Sequence, residues 1–399
     1  MQDLLFLTQR IPYPPTKGEK IRSWQIVRHL AQSYRIHLGC LIDDPRDLEH
    51  VGTLQAMCAS SHFATIDRRR AKISCLRGLL TGEPLSVTFY RDRGLAAWVG
   101  QVLEQVRPQA VVINSSNMAP YLLDTGHRVP VSLVDLVDVD SEKWRAYAET
   151  GSFPMDWVHR REWRLTAALE ARIAHECDWT TLVSSNEADL FTRLVPDCAD
   201  KVRAISNGVD HAYFDPATIV GAAPYDVTRP NYVFTGTMDY PPNVDAVCWF
   251  AAEILPVLQR DVPGTQFHIV GSSPAAEVAK LAAMPGVSVT GRVADVRPYI
   301  VHATAAVAPM RIARGIQNKV LEAMAMARPV VVTPEALEGI DARPGTEVIL
   351  ASDATGFAAG CQLAAGPQGA VIGSAARLRV LADYVWAERL RGFDALLSR

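Results

Sequence analysis

The residues best placed to do chemistry lie between Ala308 and Val332, in the sequence APMRIARGIQNKVLEAMAMARPVVV. The pattern predicts a strand end, a glycine-containing loop, a short helix rich in Ala and Met, and a buried strand. A loop that opens a helix presents unpaired backbone N–H groups and the positive end of the helix dipole, so it suits a phosphate. Glu322 is the one carboxylate in the otherwise apolar helix, and burying it is costly unless it is hydrogen-bonded. Together these features suggest a nucleotide with its ribose. The alternative is that Glu322 only pairs with Lys319, one turn earlier.

Short apolar runs alternate with helical patterns along the whole chain, which predicts βαβ units and parallel sheets. The predicted strands are 4–8, 35–42, 110–114, 131–137, 180–184, 231–236, 266–271, 287–291, 305–310 and 329–333. The predicted helices include 21–32, 155–177, 243–259, 275–283, 295–302, 317–327 and a terminal helix within 376–397. We therefore expect an α/β protein with two doubly wound domains, 1–206 and 207–382, with helix 383–399 returning to the first. Turn residues Asn207 and Gly208 mark the boundary.

Composition excludes several classes of protein. The chain has 399 residues, enough for about two domains, and its 49% apolar and 21% charged residues are typical of a globular protein. A net charge of −3 gives no electrostatic basis for binding nucleic acid. Seven scattered cysteines without a CxxC pair predict a reducing, cytoplasmic compartment. No apolar run approaches the ~18–20 residues that span a bilayer, so any membrane association is expected to be peripheral.

Ligands of open α/β sheets bind beyond the carboxyl ends of the strands, and two such domains facing each other would form a cleft. Three predicted strands of the second half end in glycine, at Gly236, Gly271 and Gly291. Glycine there would let a ligand approach the backbone closely, although simple turns are the alternative. The GxGxxG fingerprint and the GxxxxGK[ST] P-loop are both absent from the sequence.

Six segments of the second half occur in a familiar order: SNGVDHAYF, FTGTMDYPPNVDA, FHIVG, VTGRVADVRPYI, APMR and GIQNKVLEAMAMARPVV. In this order and spacing the chain resembles family 4 glycosyltransferases, over almost its whole length. PYPPTKGEKIRSW and LVDLVDVDSEKW further resemble a subgroup associated with bacterial exopolysaccharide gene clusters and the PEP-CTERM/exosortase system. The resemblance implies a GT-B fold, two Rossmann-like domains facing across a cleft. It also implies transfer of a sugar, with retention, from a UDP- or GDP-linked donor to a glycan or lipid-linked acceptor hydroxyl, without a metal or other cofactor.

The resemblance also implies roles for individual residues. Glu322 matches the glutamate that hydrogen-bonds the donor ribose. The loop over the donor diphosphate is matched by Gly315, Ile316 and Gln317. Arg292 and Val293 match the segment beside the nucleotide base, and Gly18 matches the glycine loop of the first domain that closes on the diphosphate. Backbone N–H groups and cations would replace a metal in stabilising the leaving group.

Two departures from the family pattern affect the sugar half of the site. Arg314 stands where the first glutamate of the Glu-x7-Glu pair is expected, and GTMDYPPN lacks the usual Arg/Lys pair. We therefore expect the cations to have moved, so that Arg311, Arg314 and Lys319 serve the diphosphate, with Arg314 and Lys319 counted as catalytic. The alternative is that Arg311 and Arg314 are solvated surface charges.

The first domain lacks the family's histidine near the reacting sugar. The strand VSLVDLVDVDS carries Asp135, Asp138 and Asp140 instead, and we expect Asp135 and Asp138 to polarise the acceptor hydroxyl or to stabilise positive charge on the sugar. The alternative is that the cluster caps the helix starting near Ser141. Asp138 and Asp140 also form a DxD motif, which binds Mg²⁺ or Mn²⁺ in another glycosyltransferase architecture, but a metal is not expected here.

A basic amphipathic segment, RRRAKISCLRGLL at 68–80, suits an anionic membrane surface. It would place the protein peripherally at the inner face of the plasma membrane, next to a lipid-linked acceptor. The alternative is a surface helix with a solvated basic face.

Two other functions remain open from the sequence. One is a nucleotide-sugar epimerase with the same fold, which would need no acceptor. The other is a nucleotide-sugar-binding homologue that has lost catalysis, which the missing glutamate and histidine would explain.

Overall fold

A computed structural model describes residues 1–15, 18–67, 69, 71, 74–75, 78–79, 82–313 and 315–398. The chain divides into two compact units, Met1–Ser206 with Leu390–Arg399, and Asn207–Arg389. Residues 383–389, which the sequence assigned to the first domain, lie in the second unit.

The first unit contains a seven-stranded parallel sheet with the order β3-β2-β1-β4-β5-β6-β7. Its strands are β1 (Gln2–Thr8), β2 (Tyr34–Ile42), β3 (Ser60–Thr65), β4 (Ala110–Asn114), β5 (Val131–Val137), β6 (Trp179–Leu182) and β7 (Val202–Ala204). The central strands are almost entirely buried because helices cover both faces, and their sequences are accordingly continuous apolar runs.

Helices lie between the strands of this unit along the chain. They are α1 (Gly18–Leu30), α2 (Val51–Gln55), α3 (Leu85–Phe89), α4 (Arg93–Gln101), α5 (Pro120–Leu123), α6 (Asp140–Thr150), α7 (Met155–Glu176) and α8 (Ser185–Leu194). The two helices α6 and α7 follow one another without an intervening strand and form a helical hairpin.

The second unit repeats this order with six parallel strands, β10-β9-β8-β11-β12-β13. They are β8 (Asn231–Thr235), β9 (Gln266–Val270), β10 (Val287–Gly291), β11 (Ala305–Ala308), β12 (Val330–Val332) and β13 (Ile349–Leu350). The helices are α9 (Pro241–Trp249), α10 (Leu255–Asp261), α11 (Ala276–Leu281), α12 (Arg297–Val301), α13 (Asn318–Ala325), α14 (Pro334–Leu337), α15 (Ala354–Ala365) and α16 (Pro367–Asp383). The last helix, α17 (Trp386–Leu397), begins in the second unit and belongs to the first from Leu390 onward. In both units the first strand and the fourth are neighbours, so the strand order reverses between them.

The predicted α/β class with two parallel sheets is confirmed, and every predicted strand is present. Three strands were missed, β3, β7 and β13, and each lies at the edge of its sheet. Edge strands are short or half-exposed, so they lack the apolar run that identifies a central strand. The single terminal helix predicted within 376–397 is two helices, α16 and α17, separated at 384–385.

The two sheets share a buried polar motif that links their first three strands. In each unit a histidine of the second strand contacts a serine of the third through Nδ1 at 2.7 Å and a residue of the first through Nε2 at 2.8 Å. The two sets are Asp3, His37 and Ser60, and Asn231, His268 and Ser288. Burial lowers the pKa of His268 to about 4, so the imidazole stays neutral and links the three strands by hydrogen bonds.

Within the described residues, no helix is both long and apolar enough to cross a membrane.

Candidate functional site

The loops that follow β8 and β11 meet at the carboxyl edge of the second sheet, where its strand order reverses. The loop after β11 leads into α13, whose N-cap residue is Gln317. No side chain among the described residues caps this helix, so its first N–H groups are not held by a capping oxygen. The sequence prediction of a helix start that suits an anion thus matches the local geometry.

Lys319 lies in the first turn of α13 and points toward the loop after β8. Its Nζ donates to Oδ1 of Asn243 at 2.9 Å and to Oε1 of Gln317 at 3.3 Å, and it lies 4.9 Å from the centre of the Phe234 ring. Burial lowers the pKa of Lys319 to about 8, against the attraction of Glu322. These contacts hold the Lys319 ammonium beside the start of α13.

Asn243 is the residue that joins the two loops, and sequence reasoning missed it. Its Nδ2 donates to the backbone oxygen of Thr237 at 2.9 Å, while its Oδ1 accepts from Lys319. The available signal was small: an amide placed directly after Pro241 and Pro242 at a helix start. Asn243 therefore positions Lys319 and the β8 loop together.

Glu322 lies one turn after Lys319 and is half-buried. Burial raises the pKa of its carboxyl to about 7, and the nearby charge of Lys319 partly opposes the rise. Among the described residues the carboxylate forms no hydrogen bond, and it makes no ion pair with Lys319. The alternative interpretation of the sequence, a simple Glu322–Lys319 pair, is therefore not what the described contacts show. A half-buried carboxylate without a partner is available to a ligand.

Glycines shape the backbone around this edge. Gly315 is buried with a φ of 64°, a conformation that favours glycine. The neighbouring Ile316 is also buried, with 9% of its surface exposed. A Cβ atom on Gly271 would lie 1.7 Å from the backbone oxygen of Gly236, and one on Gly236 would lie 2.8 Å from Nδ2 of Asn243. Gly236 and Gly271 thus allow close backbone packing at this edge. The close approach of a ligand to these glycines stays a prediction.

Arg311, which the sequence assigned to the diphosphate, pairs with a carboxylate in the structure. Its guanidinium makes two hydrogen bonds to the carboxylate of Asp245 and lies 5.4 Å from the centre of the Trp249 ring. About half of its side chain is exposed. These contacts direct Arg311 to α9, so a diphosphate would have to compete with Asp245 for it. Arg314 lies outside the described residues.

Three further residues were predicted to bind the donor. Arg292 is exposed after Gly291, which ends β10 with a φ of 66°. Val293 is half-buried and packs against the apolar cluster that contains Val233. Gly18 is the exposed first residue of α1 in the other unit.

Asp135 in the first unit is occupied by structural contacts. Its oxygens accept two hydrogen bonds from Arg22, at 2.7 Å each, and one each from Asn114 and Thr181, both at 2.9 Å. Asp135 is 0% exposed and Arg22 is 1% exposed. This correction of the sequence prediction has a simple cause: a carboxylate with four donors has no free lone pair for an acceptor hydroxyl. The pair instead ties α1 to the centre of the sheet.

Asp138 stays available. It follows Val137, whose φ of 72° is strained for a β-branched residue, and its Oδ1 is buried without a partner among the described residues. Burial, with the charges of Glu187 and Asp140, raises the pKa of Asp138 to about 7. Strained backbone and an unsatisfied carboxylate at the end of a strand are typical of functional sites.

The helix that follows is capped from elsewhere, not by the aspartates. Glu187 accepts from the backbone N–H of Val139 at 2.7 Å, and Glu170 accepts from that of Ser141 at 3.1 Å. The predicted alternative, in which the aspartate cluster caps the helix, is therefore wrong. Within the described residues, no group of three or more His, Cys, Asp or Glu side chains is arranged to hold a metal; the metal-free prediction stays a prediction.

A second polar set lies at the strand reversal of the first unit, between β1 and β4, and sequence reasoning missed it. Ser115 donates to Oε1 of Gln9 at 3.0 Å, and Asn117 donates to the same oxygen at 3.3 Å. Ser115 has a φ of 83°. Amide and hydroxyl groups at this edge suit a ligand rich in hydroxyl groups.

Comparison with known proteins identifies the fold of the chain. Residues 229–364 match the family described as glycosyl transferases, group 1. A comparison with curated proteins finds no significant relative. Among solved structures, sucrose-phosphate synthase from Thermosynechococcus elongatus is similar, with a TM-score of 0.72, 17% identity, and coverage of 99% of this chain and 98% of that one.

Two further structures are similar over the whole chain. The Anabaena protein HepE in complex with UDP and glucose has a TM-score of 0.69, 14% identity and 100% coverage of both chains. WaaG, a glycosyltransferase involved in lipopolysaccharide biosynthesis, has a TM-score of 0.65, 13% identity, and coverage of 98% and 99%. The chain therefore has the GT-B fold, as predicted.

Proposed function

We propose that this protein is a glycosyltransferase that uses a nucleotide-sugar donor. The observation that carries the proposal is Glu322, an unpartnered, half-buried carboxylate near an uncapped helix start and a half-buried lysine. The whole arrangement lies inside the segment that matches the glycosyl transferase family. The similarity to HepE, whose structure holds UDP and glucose, supports the same ligand class.

In this proposal, different residues of the second unit bind the ribose and the diphosphate of the donor. Glu322 accepts hydrogen bonds from the ribose hydroxyls, and the N–H groups at the start of α13 bind the diphosphate. Lys319 supplies positive charge there, held by Asn243. As the bond between the anomeric carbon and the phosphate oxygen breaks, negative charge grows on the leaving diphosphate, and these groups stabilise it.

The first unit presents the acceptor. Gln9, Ser115 and Asn117 bind sugar hydroxyls. Asp138 acts near the reacting sugar in place of the family's missing histidine. The acceptor oxygen forms the new bond to the anomeric carbon on the face that the nucleotide leaves, so the configuration is retained. The acceptor proton passes to the departing phosphate oxygen. We further propose family 4 membership, no metal requirement, and a role in exopolysaccharide or other cell-surface glycan synthesis, on the strength of the sequence resemblance.

A thermal-shift series over nucleotides and nucleotide-sugars tests the proposal. Ligand at about 100 times its Kd stabilises the native state by about 2.7 kcal/mol, which raises the Tm of a unit of this size by about 5 °C or more. We expect such a rise with UDP or GDP and their sugars, and none with NAD. Sugar transfer to a glycan acceptor must follow with the same donor. Binding without transfer would indicate a non-catalytic homologue, and epimerised donor without acceptor would indicate an epimerase.

The pH dependence of kcat/KM for the donor is expected to be bell-shaped, rising through about pH 7 and falling above about pH 8. The pKa of Glu322 is raised to about 7, so below that pH the carboxyl is protonated and loses its charge-assisted bonds. The pKa of Lys319 is lowered to about 8, so above that pH the ammonium is lost. Initial rates at subsaturating donor measure the profile. Glu322→Gln should remove the acid limb and Lys319→Arg the alkaline limb, because arginine stays charged. A flat wild-type profile from pH 6 to 9 would contradict both assignments.

A further inference from the structure

We propose that Glu187 is a positioning residue for Asp138, because it holds the end of the strand that presents this carboxylate. The inference rests on the proposed function, in which Asp138 acts near the reacting sugar. Glu187 lies in the first turn of α8 and accepts a hydrogen bond from Val139, 48 residues away along the chain. The sequence did not single out Glu187, because only the tertiary structure brings these residues together.

The end of β5 departs from regular strand geometry just before Asp138. Asp135 pairs with Thr181 and Val137 with Leu182, so β5 has one residue more than β6 over this stretch. Val137 has a φ of 72°, which is strained for a β-branched residue. Such a bulge changes the direction of the side chains that follow it, and bulges are frequent beside active sites.

Two hydrogen bonds fix the backbone on either side of Asp138. The N–H of Val183 donates to the backbone oxygen of Val137 at 2.7 Å, and the N–H of Val139 donates to Oε2 of Glu187 at 2.7 Å. Both partners belong to the segment that leads from β6 into α8. A strained backbone persists only where its surroundings determine it, so loss of the Glu187 bond would let the strand end relax.

The side chain of Glu187 is itself held in place. Oγ of Ser184 caps α8 and accepts from the backbone N–H of Glu187 at 3.2 Å. Both residues are buried. A buried side chain on a capped helix start has little freedom to move, so its carboxylate keeps Val139 in a defined position.

Glu187 acts on Asp138 through its charge as well. Burial raises the pKa of the Asp138 carboxyl to about 7, and the negative charges of Glu187 and Asp140 add to the rise. The positive charges of Lys143 and Arg22 oppose it. These charges come from α8, α6 and α1. Glutamine at position 187 would keep an oxygen that accepts from the backbone and would remove the charge, so the two effects can be separated.

Steady-state kinetics tests the positioning. The donor is UDP-glucose or GDP-mannose, whichever gives the larger thermal shift, the acceptor is methyl α-glucoside, and the pH is about 8, where the Asp138 carboxyl is mostly ionised. Glu187→Ala should lower kcat about 50-fold, since misplacement by about 1 Å can cost ~10²-fold. Its KM for the donor should stay as in the wild type, because the donor binds to the second unit. Glu187→Gln should keep kcat within about threefold of the wild type, because the bond to the backbone remains.

A double-variant comparison tests whether Glu187 acts through Asp138. In the Asp138→Asn background, Glu187→Ala should lower kcat by no more than about twofold, because the carboxylate that it positions is gone. The same ~50-fold loss in both backgrounds would overturn the proposal, since Glu187 would then act independently of Asp138.

Titration of ¹³C-labelled aspartate carboxyls measures the charge effect without turnover. The signal of Asp138 is the one lost in Asp138→Asn. In Glu187→Gln its midpoint should move to lower pH by about half a pH unit, because the ionised carboxyl no longer lies near a second negative charge. This measurement needs only the glutamine variant, which keeps the hydrogen bond and with it the fold. A midpoint equal to that of the wild type would show that the two carboxylates do not interact, and would overturn the proposal.

Glu162 provides a matched control in the same unit. Its Oε2 accepts from the backbone N–H of Leu85 at 2.7 Å, and it is 1% exposed against 6% for Glu187. Glu162→Ala should therefore lower the Tm about as much as Glu187→Ala, and should leave kcat and the Asp138 titration as in the wild type. Equal losses of kcat in the two alanine variants would indicate a general effect of stability and overturn the proposal. The thermal shift with nucleotide must persist in every variant, and its absence from the wild type would instead overturn the proposed function.

Discussion

Replacing Glu322 by alanine is expected to raise the KM for the nucleotide-sugar donor about 100-fold, with a much smaller change in kcat. The carboxylate forms no hydrogen bond with the described residues, so its replacement removes bonds to the ribose without leaving a protein donor unsatisfied. Hydrogen bonds to a charged group contribute about 1.5–3 kcal/mol each, and the loss of one or two corresponds to about 100-fold in affinity. Steady-state kinetics over a range of donor concentrations measures the change.

Two comparisons identify the cause of this effect. Glu335→Ala removes an exposed glutamate from α14, the next helix along the chain, and should leave the KM as in the wild type. Glu322→Gln keeps the shape of the side chain and removes its charge, so it should give an intermediate KM. An unchanged KM in Glu322→Ala would remove Glu322 from the donor site and leave the carboxylate without a role.

Replacing Arg22 by methionine is expected to lower the free energy of unfolding of the first unit by about 3–5 kcal/mol. The change leaves Asp135, which is 0% exposed, as a buried carboxylate without its charge partner. Chemical denaturation followed by tryptophan fluorescence measures the loss, as a lower midpoint at an unchanged slope.

An exposed pair with the same geometry provides the control. Arg35 donates to Asp3 through Nε at 2.9 Å and Nη2 at 2.7 Å, but its side chain is 58% exposed. Arg35→Met should therefore cost no more than about 1 kcal/mol. The double variant Arg22→Met, Asp135→Asn should recover part of the loss, because it removes the buried charge and keeps an amide oxygen that accepts from Asn114 or Thr181. Equal losses of unfolding free energy in Arg22→Met and Arg35→Met would show that the contribution of the Arg22–Asp135 pair to stability does not depend on its burial.

The sequence was informative wherever local pattern decides structure. Continuous apolar runs identified the central strands because a parallel sheet covered on both faces requires them. Glu322 stood out because it is a single carboxylate in an apolar helix, and the structure leaves it without a partner among the described residues. The loop Gly315–Gln317 was recognisable because a glycine directly precedes the helical pattern of α13.

The tertiary structure decided what depends on partners distant in sequence. The three aspartates of the segment VSLVDLVDVDS could not be distinguished from the sequence. In the structure Arg22, 113 residues from Asp135, pairs with that carboxylate, whereas Oδ1 of Asp138 has no partner among the described residues. Lys319 is held by Asn243, 76 residues away, and Ser115 by Gln9, 106 residues away. Periodicity determines which face of an element is apolar, so the sequence by itself determined the two sheets and the unusual carboxylate of α13. Which polar side chains meet depends on how strands distant in sequence align at one edge, and only the tertiary structure decided that.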